Sequence, residues 1–263
     1  MKIFFIILTF WSTTVVGQTS FQSIYDSLGL KGSTTIFDYK NQKWIYTHEK
    51  DAEIATLPAS TFKILNSLII LENKVVNDEN EIFKWDGKPK SHFGYEFKVW
   101  EKDTDLKTAY KNSTVWFYVN AAKKIKRKKY KRTLKKIDYG NNDLSEKGDD
   151  FWNYGQLAVS PKNQIEFLIQ LYESKLPFAQ RNINKVKQIM VSESTKHYTF
   201  RDKTGWTRAN GKDIGWWVGY LTTKENVYFF ATRLTKNVET ENPDFSSGRK
   251  TVTKQILKTI KAY

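Results

Sequence analysis

The sequence predicts an α+β fold: an antiparallel sheet flanked by N- and C-terminal helices, with a mostly helical subdomain. Three observations lead there. Residues 215–222 and 227–234 are aromatic and β-branched runs joined by Thr223-Lys224-Glu225-Asn226, the pattern of an antiparallel strand pair. Near the other end of the chain, residues 34–38 and 43–48 alternate apolar with polar around Lys40-Asn41-Gln42, which predicts a hairpin. Helical periodicity occupies the stretches outside and between these runs.

Each element has its own justification. Residues 20–30 carry Phe21, Ile24, Tyr25 and Leu28 at helical spacing, with Gly32 as a stop signal. Pro58 opens a second helical stretch in which Phe62, Ile64, Leu65, Leu68, Ile69 and Leu71 leave little polar face, so this helix belongs in the core. From about residue 77 to 171 the chain is loop-rich and then helical, with Trp85, Trp100, Trp116 and Trp152 spread through it. Residues 247–260 form a last amphipathic helix with Val252, Ile256, Leu257 and Ile260 on one stripe. No internal repeat and no Pro- or Ser-rich linker divides residues 18–263, which are expected to form one domain.

Ahead of that domain, Met1 and Lys2 precede an apolar run from Ile3 to Phe10, and Val15 with Gly17 supplies small residues before Gln18. Residues 1–17 therefore read as a signal peptide, shorter than the roughly 20 residues that span a bilayer. The expectation is a periplasmic or secreted protein with no membrane association once the leader is removed.

The chain has 263 residues, a formal charge of +15 and a pI near 9.6. Such basicity makes nucleic acid the first partner to consider. The excess is local, however: residues 123–136 hold ten Lys or Arg, broken by Ile125, Tyr130, Thr133 and Leu134. Regular aromatic interleaving is missing, and Lys far outnumbers Arg, whose bidentate fork suits phosphate recognition. The segment is expected to give weak, salt-sensitive polyanion binding, with no specific nucleic acid.

Other chemistries fall away on composition. Without cysteine there are no disulfides, zinc-thiolate sites, Fe–S clusters or cysteine nucleophiles. His48, His92 and His197 lack metal-binding spacing and read as surface or hydrogen-bonded residues. No phosphate-binding glycine loop occurs. Neither a metal nor a diffusible cofactor is expected.

One short motif does carry chemistry. Ser60-Thr61-Phe62-Lys63 puts a hydroxyl and an amine three residues apart at the start of the buried helix, on one face. Serine needs an adjacent acceptor, and a lysine among apolar neighbours loses its charge. The helix N-terminus adds N–H groups where an oxyanion could sit. Ser247-Gly248-Arg249-Lys250 matches the same spacing by chance in a Lys-rich chain.

Four further motifs follow in order: Ser113-Thr114-Val115, Tyr139-Gly140-Asn141, Phe151-Trp152-Asn153-Tyr154-Gly155 and Lys203-Thr204-Gly205. With the Ser60 motif they resemble the class D, or oxacillinase-type, serine β-lactamases, which share their fold with penicillin-binding transpeptidases. Phe83-Lys84-Trp85-Asp86-Gly87 and Gly215-Trp216-Trp217-Val218-Gly219 look like stretches of the same family.

The resemblance implies hydrolysis of β-lactam antibiotics through an acyl group on Ser60. Lys63 would be the base, carrying CO2 from bicarbonate as a carbamate and serving both acylation and deacylation. Trp152 would donate its indole N–H to that carbamate. Ser113 would relay a proton to the leaving nitrogen with support from Lys203, and Val115 would line the pocket over Lys63. Thr204 and Arg249 would bind the substrate carboxylate, and Gly205 would allow close backbone approach. The N–H of Trp206 would complete an oxyanion hole with that of Ser60. Trp100 and Tyr139-Gly140-Asn141 are assigned to pocket architecture. Leu65 departs from the proline common two residues after the lysine, which restores a backbone donor.

Two other functions compete. A penicillin-binding sensor or peptidase shares the acylation apparatus and turns over slowly, but sensors of this fold sit behind several membrane helices. A basic polyanion-binding protein would rest on residues 123–136 alone. Both monomer and homodimer remain open, and the substrate spectrum lies in pocket loops.

Overall fold

The computed structural model describes residues 16–263. In chain order its elements are α1 (Val16–Asp26), β1 (Gly32–Asp38), β2 (Lys43–Tyr46), α2 (Lys63–Glu72), β3 (Ser91–His92), β4 (Tyr95–Glu96), α3 (Leu106–Asn112), α4 (Val115–Lys123), α5 (Arg127–Lys136), α6 (Phe151–Tyr154), α7 (Pro161–Tyr172), α8 (Gln180–Ile189), β5 (Val191–Ser194), β6 (Tyr198–Ala209), β7 (Lys212–Thr223), β8 (Val227–Asn237) and α9 (Phe245–Thr259). A 3-10 turn over Ala59–Phe62 leads into α2. All but the last two residues of the expected leader, Val16 and Gly17, lie outside the described residues. No helix among the described residues is long and apolar enough to cross a membrane.

The main sheet is antiparallel in the order β2-β1-β8-β7-β6-β5. Its central strands are apolar on both faces because both faces are covered. Successive side chains alternate, so in β7 Trp216, Val218 and Tyr220 join the core around α2, whereas Trp217 and Leu221 join the core beneath the terminal helices. Phe21 and Tyr25 of α1 and Val252, Ile256 and Leu257 of α9 close that second core against Ile36, Phe230 and Leu234. Burying a side chain of this size contributes about 1.5–3 kcal/mol. The α+β arrangement with flanking terminal helices is therefore as expected.

Boundaries differ in informative places. The first helix ends at Asp26, not near residue 30, because Gly29 takes φ +60 and the Leu30 N–H bonds back to the Tyr25 carbonyl. Leu30 is thereby freed to pack under Gly248 of α9. Second, β3 and β4, too short for a periodicity signal, form a hairpin with Phe93 and Gly94 at positive φ.

One asymmetry of the sheet prepares the site. Strand β5 pairs with β6 only at residues 199–201, so residues 203–206 have no strand on that side. The 3-10 turn over Ala59–Phe62 packs there instead. An ideal Cβ on Gly205 would lie 3.1 Å from Ala59 Cβ, the Pro58 carbonyl and Thr61 Cγ2, so glycine allows this approach without displacing the turn. The indole of Trp216 in β7 donates to the Leu57 carbonyl at 2.9 Å and ties the turn to the sheet.

Candidate functional site

Ser60 lies within the 3-10 turn, and Lys63 is the first residue of α2, so the motif straddles the junction rather than sitting inside a regular helix. Ala59, fully buried, holds φ +53, a conformation costly for a residue with a Cβ. Thr61 locks the turn by donating both its N–H and its hydroxyl to the Pro58 carbonyl, and Gln164 donates to Thr61 Oγ1 at 2.8 Å. The outcome is a fixed pair: Lys63 Nζ donates to Ser60 Oγ at 2.7 Å.

Lys63 is fully buried, with Nζ 5.2 Å from the Tyr118 ring centroid. Burial lowers its ammonium to about 8, opposed by the charge of Asp150. Asp150 in turn is raised to about 7 by burial, against a hydrogen bond from Asn153 and the charge of Lys63. Sequence reasoning gave no carboxylate a part here. The available signal was its place two residues before Trp152, at the cap of the short helix α6.

Trp152 is completely buried and stacks on Phe62, ring centroids 5.6 Å apart, yet its Nε1 has no hydrogen-bond acceptor. An indole N–H is a donor only, and buried donors are rarely left orphaned. Phe62 is further wedged by Phe151, Tyr130 and Tyr139. Tyr139-Gly140-Asn141 thus supports the floor from behind: Tyr139 donates to Gln164, and the Asn141 N–H bonds to the Ala158 carbonyl.

Above this floor opens a cleft of about 420 Å³. Ser60, Ser113, Val115, Thr204, Gly205, Trp206 and Arg249 all line it, as does Trp100. Ser113 caps α3 in the left-handed region at φ +58, which turns the chain sharply into Val115 and α4. Arg249, on the first turns of α9, donates from Nη1 to the Gly205 carbonyl at 2.5 Å, while its buried Nε has no partner. Burial brings its guanidinium down to about 10. The chance second match lies on that same helix, with Ser247 and Lys250 exposed and Gly248 buried against Leu30; of the four, only Arg249 turns into the cleft.

Lys63, Trp152 and Lys203 do not line the cleft. Lys203 is buried below it, its Nζ donating to the Thr204 carbonyl at 2.9 Å and lying over the Tyr110 ring. Its ammonium is held well below the ordinary range by burial first, then by the charges of Lys63 and Arg249. The site therefore combines a hydroxyl, two lysines biased toward the free amine, and a charged arginine at the mouth.

The remaining wall was not anticipated from sequence. His92 and Tyr95 of the β3–β4 hairpin and Phe97 line the cleft, and Phe97 stacks on Trp100 with centroids 4.1 Å apart. His92 meets Tyr154 Oη at 3.2 Å and is lowered to about 4, chiefly by burial, so it is neutral at pH 7. The hairpin tip packs on Trp206, and the Arg208 guanidinium lies among the rings of Phe93, Tyr95 and Trp206. A larger hollow of about 700 Å³ beside Arg233 lacks a comparable pair of groups, and Arg233 is already engaged by Asp51 and the Ile54 carbonyl. Among the described residues no group of three or more His, Asp or Glu is arranged to hold a metal.

Known proteins resemble the chain along most of its length. Residues 32–260 match the penicillin-binding protein transpeptidase domain. The chain is 38% identical over 231 residues to beta-lactamase OXA-48 of Klebsiella pneumoniae, covering 88% of this chain and 84% of that one. It is 41% identical over 206 residues to beta-lactamase OXA-2 of Escherichia coli, covering 78% and 70%. Among solved structures, a class D β-lactamase from Sebaldella termitidis superposes with a TM-score of 0.86 at 47% identity, over 92% of this chain and 95% of that one.

Proposed function

Because the chain belongs to the class D β-lactamases, serine enzymes that hydrolyse β-lactams, we propose that Ser60 opens the lactam ring and that Lys63 is its base. The observation that carries this reading is the 2.7 Å contact between Lys63 Nζ and Ser60 Oγ in a setting that disfavours the ammonium. With the amine uncharged the same contact runs in reverse, and Lys63 accepts the hydroxyl proton as Oγ bonds to the lactam carbonyl carbon. Oxyanion charge then develops beside the turn, where the N–H groups of Ser60 and Trp206 are the candidate donors. When the ring C–N bond breaks, the nitrogen takes a proton by way of Ser113, with Lys203 close to its free-amine form as the supporting group. Water attacks the resulting ester and regenerates Ser60. Arg249 and Thr204 at the mouth meet the substrate carboxylate, the arginine through a charge-assisted contact.

Lys63 also suits addition of CO2. That reaction needs a free amine, which burial provides, and its product is an anion, which needs a donor. The orphaned Nε1 of Trp152 is a buried donor of that kind, and Lys63, Trp152 and Val115 are the residues that would hold the group. When present, the carbamate supplies a carboxylate-like base for both half-reactions. Export follows from the leader: the mature N-terminus is expected at Gln18, read by sequencing the secreted chain.

Hydrolysis of a chromogenic cephalosporin, with and without added bicarbonate, tests this function. Turnover stimulated by bicarbonate is expected. A stable one-to-one acyl-protein with no turnover even in bicarbonate would sink the hydrolase reading in favour of a sensor.

A further inference from the structure

The cations of residues 123–136 take no part in the cleft, and the fold arranges them with care. Ile125, Tyr130 and Leu134 are buried. Tyr130 donates to Asn66 at 2.7 Å and packs on Phe151, so α5 is anchored from within. Arg127 is drawn inward as well, donating to the Gly148 carbonyl at 2.6 Å with its guanidinium over the Phe151 ring. Lys131 lies near Asp143.

The others converge. Lys124, Lys126, Lys128, Lys129 and Arg132, with Asn73 and Ile125, line a hollow of about 420 Å³, and no carboxylate lines it. Each of the five is exposed. Among the described residues none of them has an ion-pair partner. Elsewhere the surface mixes its charges: Lys84 pairs with Asp103, Lys162 with Glu53 and Lys254 with Glu193. A concave cluster of like charge without acid is repulsive until anions from outside fill it.

The geometry points to the α5 face as a docking surface for an anionic phospholipid bilayer, with headgroup phosphates in the hollow and on the amines around it. Three features favour lipid over nucleic acid. The segment's one aromatic residue, Tyr130, is turned inward, and Ile125, which borders the hollow, is itself buried, so no aromatic face is left on which bases could stack. Four of the five lining cations are lysines, compact point charges suited to scattered monoanions, and a single arginine supplies the only fork. The charge also spreads along a ten-residue helix, about 15 Å, rather than focusing on one ligand. No apolar side chain needs to insert, so the contact is electrostatic and peripheral. This revises the expectation of no membrane association, which rested on the lack of a spanning segment. None of the five cations lines the cleft.

Vesicle flotation of the whole mature protein tests the proposal, using phosphatidylcholine with and without phosphatidylglycerol. At about 50 mM salt, at least tenfold enrichment on the anionic vesicles is expected, falling to background at about 500 mM as screening shortens the reach of the charges. The variant Lys128→Glu/Lys129→Glu/Arg132→Glu is expected to lose at least about tenfold in vesicle binding while hydrolysing a soluble substrate at the parent rate, which also certifies its fold. Equal binding by parent and variant, or no preference for anionic vesicles, overturns the proposal. Displacement from vesicles by a DNA oligonucleotide at equal phosphate concentration would reassign the face to nucleic acid. Displacement by millimolar inorganic phosphate would reduce it to a discrete phosphate site.

Discussion

The indole of Trp206 donates to Asp213 at 2.9 Å across the β6–β7 pair, and that carboxylate also accepts from Arg208 Nε and Lys236 Nζ. Asp213 is buried, so one carboxylate fixes a cleft wall, the arginine that the hairpin packs on and a lysine of β8. Burial alone would raise its pKa; hydrogen bonds from Lys236, Arg208 and Trp206 outweigh it, and the net shift is downward. Asp213→Ala leaves two cations uncompensated and is expected to cost about 3–5 kcal/mol, read as a fall in Tm on the order of 10 °C. Because the folded pKa is depressed, this stabilisation is present above the unfolded value of 3.8 and fades as pH falls through the lower folded value. The Tm gap between parent and variant should therefore close only in strong acid. A gap already closed at pH 5 would remove Asp213 from this role.

Lys63 works against the stability of the fold. Its folded pKa, near 8, lies below the ordinary 10.5, so holding the ammonium buried is costly at neutral pH; the cost declines between pH 8 and 10.5 and is gone above. Lys63→Met should abolish turnover yet raise stability at pH 7 by on the order of 2 kcal/mol, an advantage that shrinks across that window. Denaturant titrations at pH 7 and pH 10 check it. In the parent enzyme without bicarbonate, kcat should climb as pH rises toward 8 and the free amine accumulates. Added bicarbonate is expected to lift the acid limb most.

Trp152→Phe keeps the stack on Phe62 and removes only the orphaned N–H. Turnover is expected to fall by roughly 10–100-fold, the range for losing an orienting hydrogen bond, with a higher bicarbonate concentration needed for half-maximal rate. Tm should change by no more than a few degrees. An unchanged bicarbonate requirement would mean that the indole holds nothing.

Gly205→Ala places a methyl 3.1 Å from Ala59 Cβ, the Pro58 carbonyl and Thr61 Cγ2. The strand or the turn has to give by a few tenths of an ångström, and both border the nucleophile. A destabilisation of about 1–3 kcal/mol is expected, with kcat/KM down by about 100-fold because small displacements at a reacting centre are expensive. Retained activity in a destabilised variant would show that the turn can shift without consequence for Ser60.

Sequence reasoning reached those parts of the molecule whose signal is local. The β7–β8 pair follows from two aromatic and β-branched runs, the first hairpin from alternation, and α2 from its lack of a polar face. Ser60, Ser113, Thr204 and Arg249, far apart in the chain, were gathered by resemblance before any geometry, and they do line one cleft. What escaped were properties of the assembled fold. Nothing in Ser91 to Glu96 announces a two-residue-strand hairpin, since its register depends on Trp206 and Arg208, more than a hundred residues away. Asp150 carries no motif of its own, and its influence on Lys63 arises only once α6 brings the two together in a buried setting. Gly29 rather than Gly32 ended the first helix, because a helix stop depends on which residue can take the left-handed turn and still let Leu30 reach the core.

Residues 203–206 of β6, paired with β7 on one side but left without a strand on the β5 side, have a bearing on solubility. A bare strand edge is a template for pairing with another chain. Here the template is stoppered by the segment that carries Ser60, so protection from aggregation and the capacity for chemistry are vested in one joint. Changes that loosen Ala59–Phe62 from Gly205 are therefore expected to do twofold harm, with inactive enzyme appearing in light scattering as growing oligomers rather than as dispersed unfolded monomers.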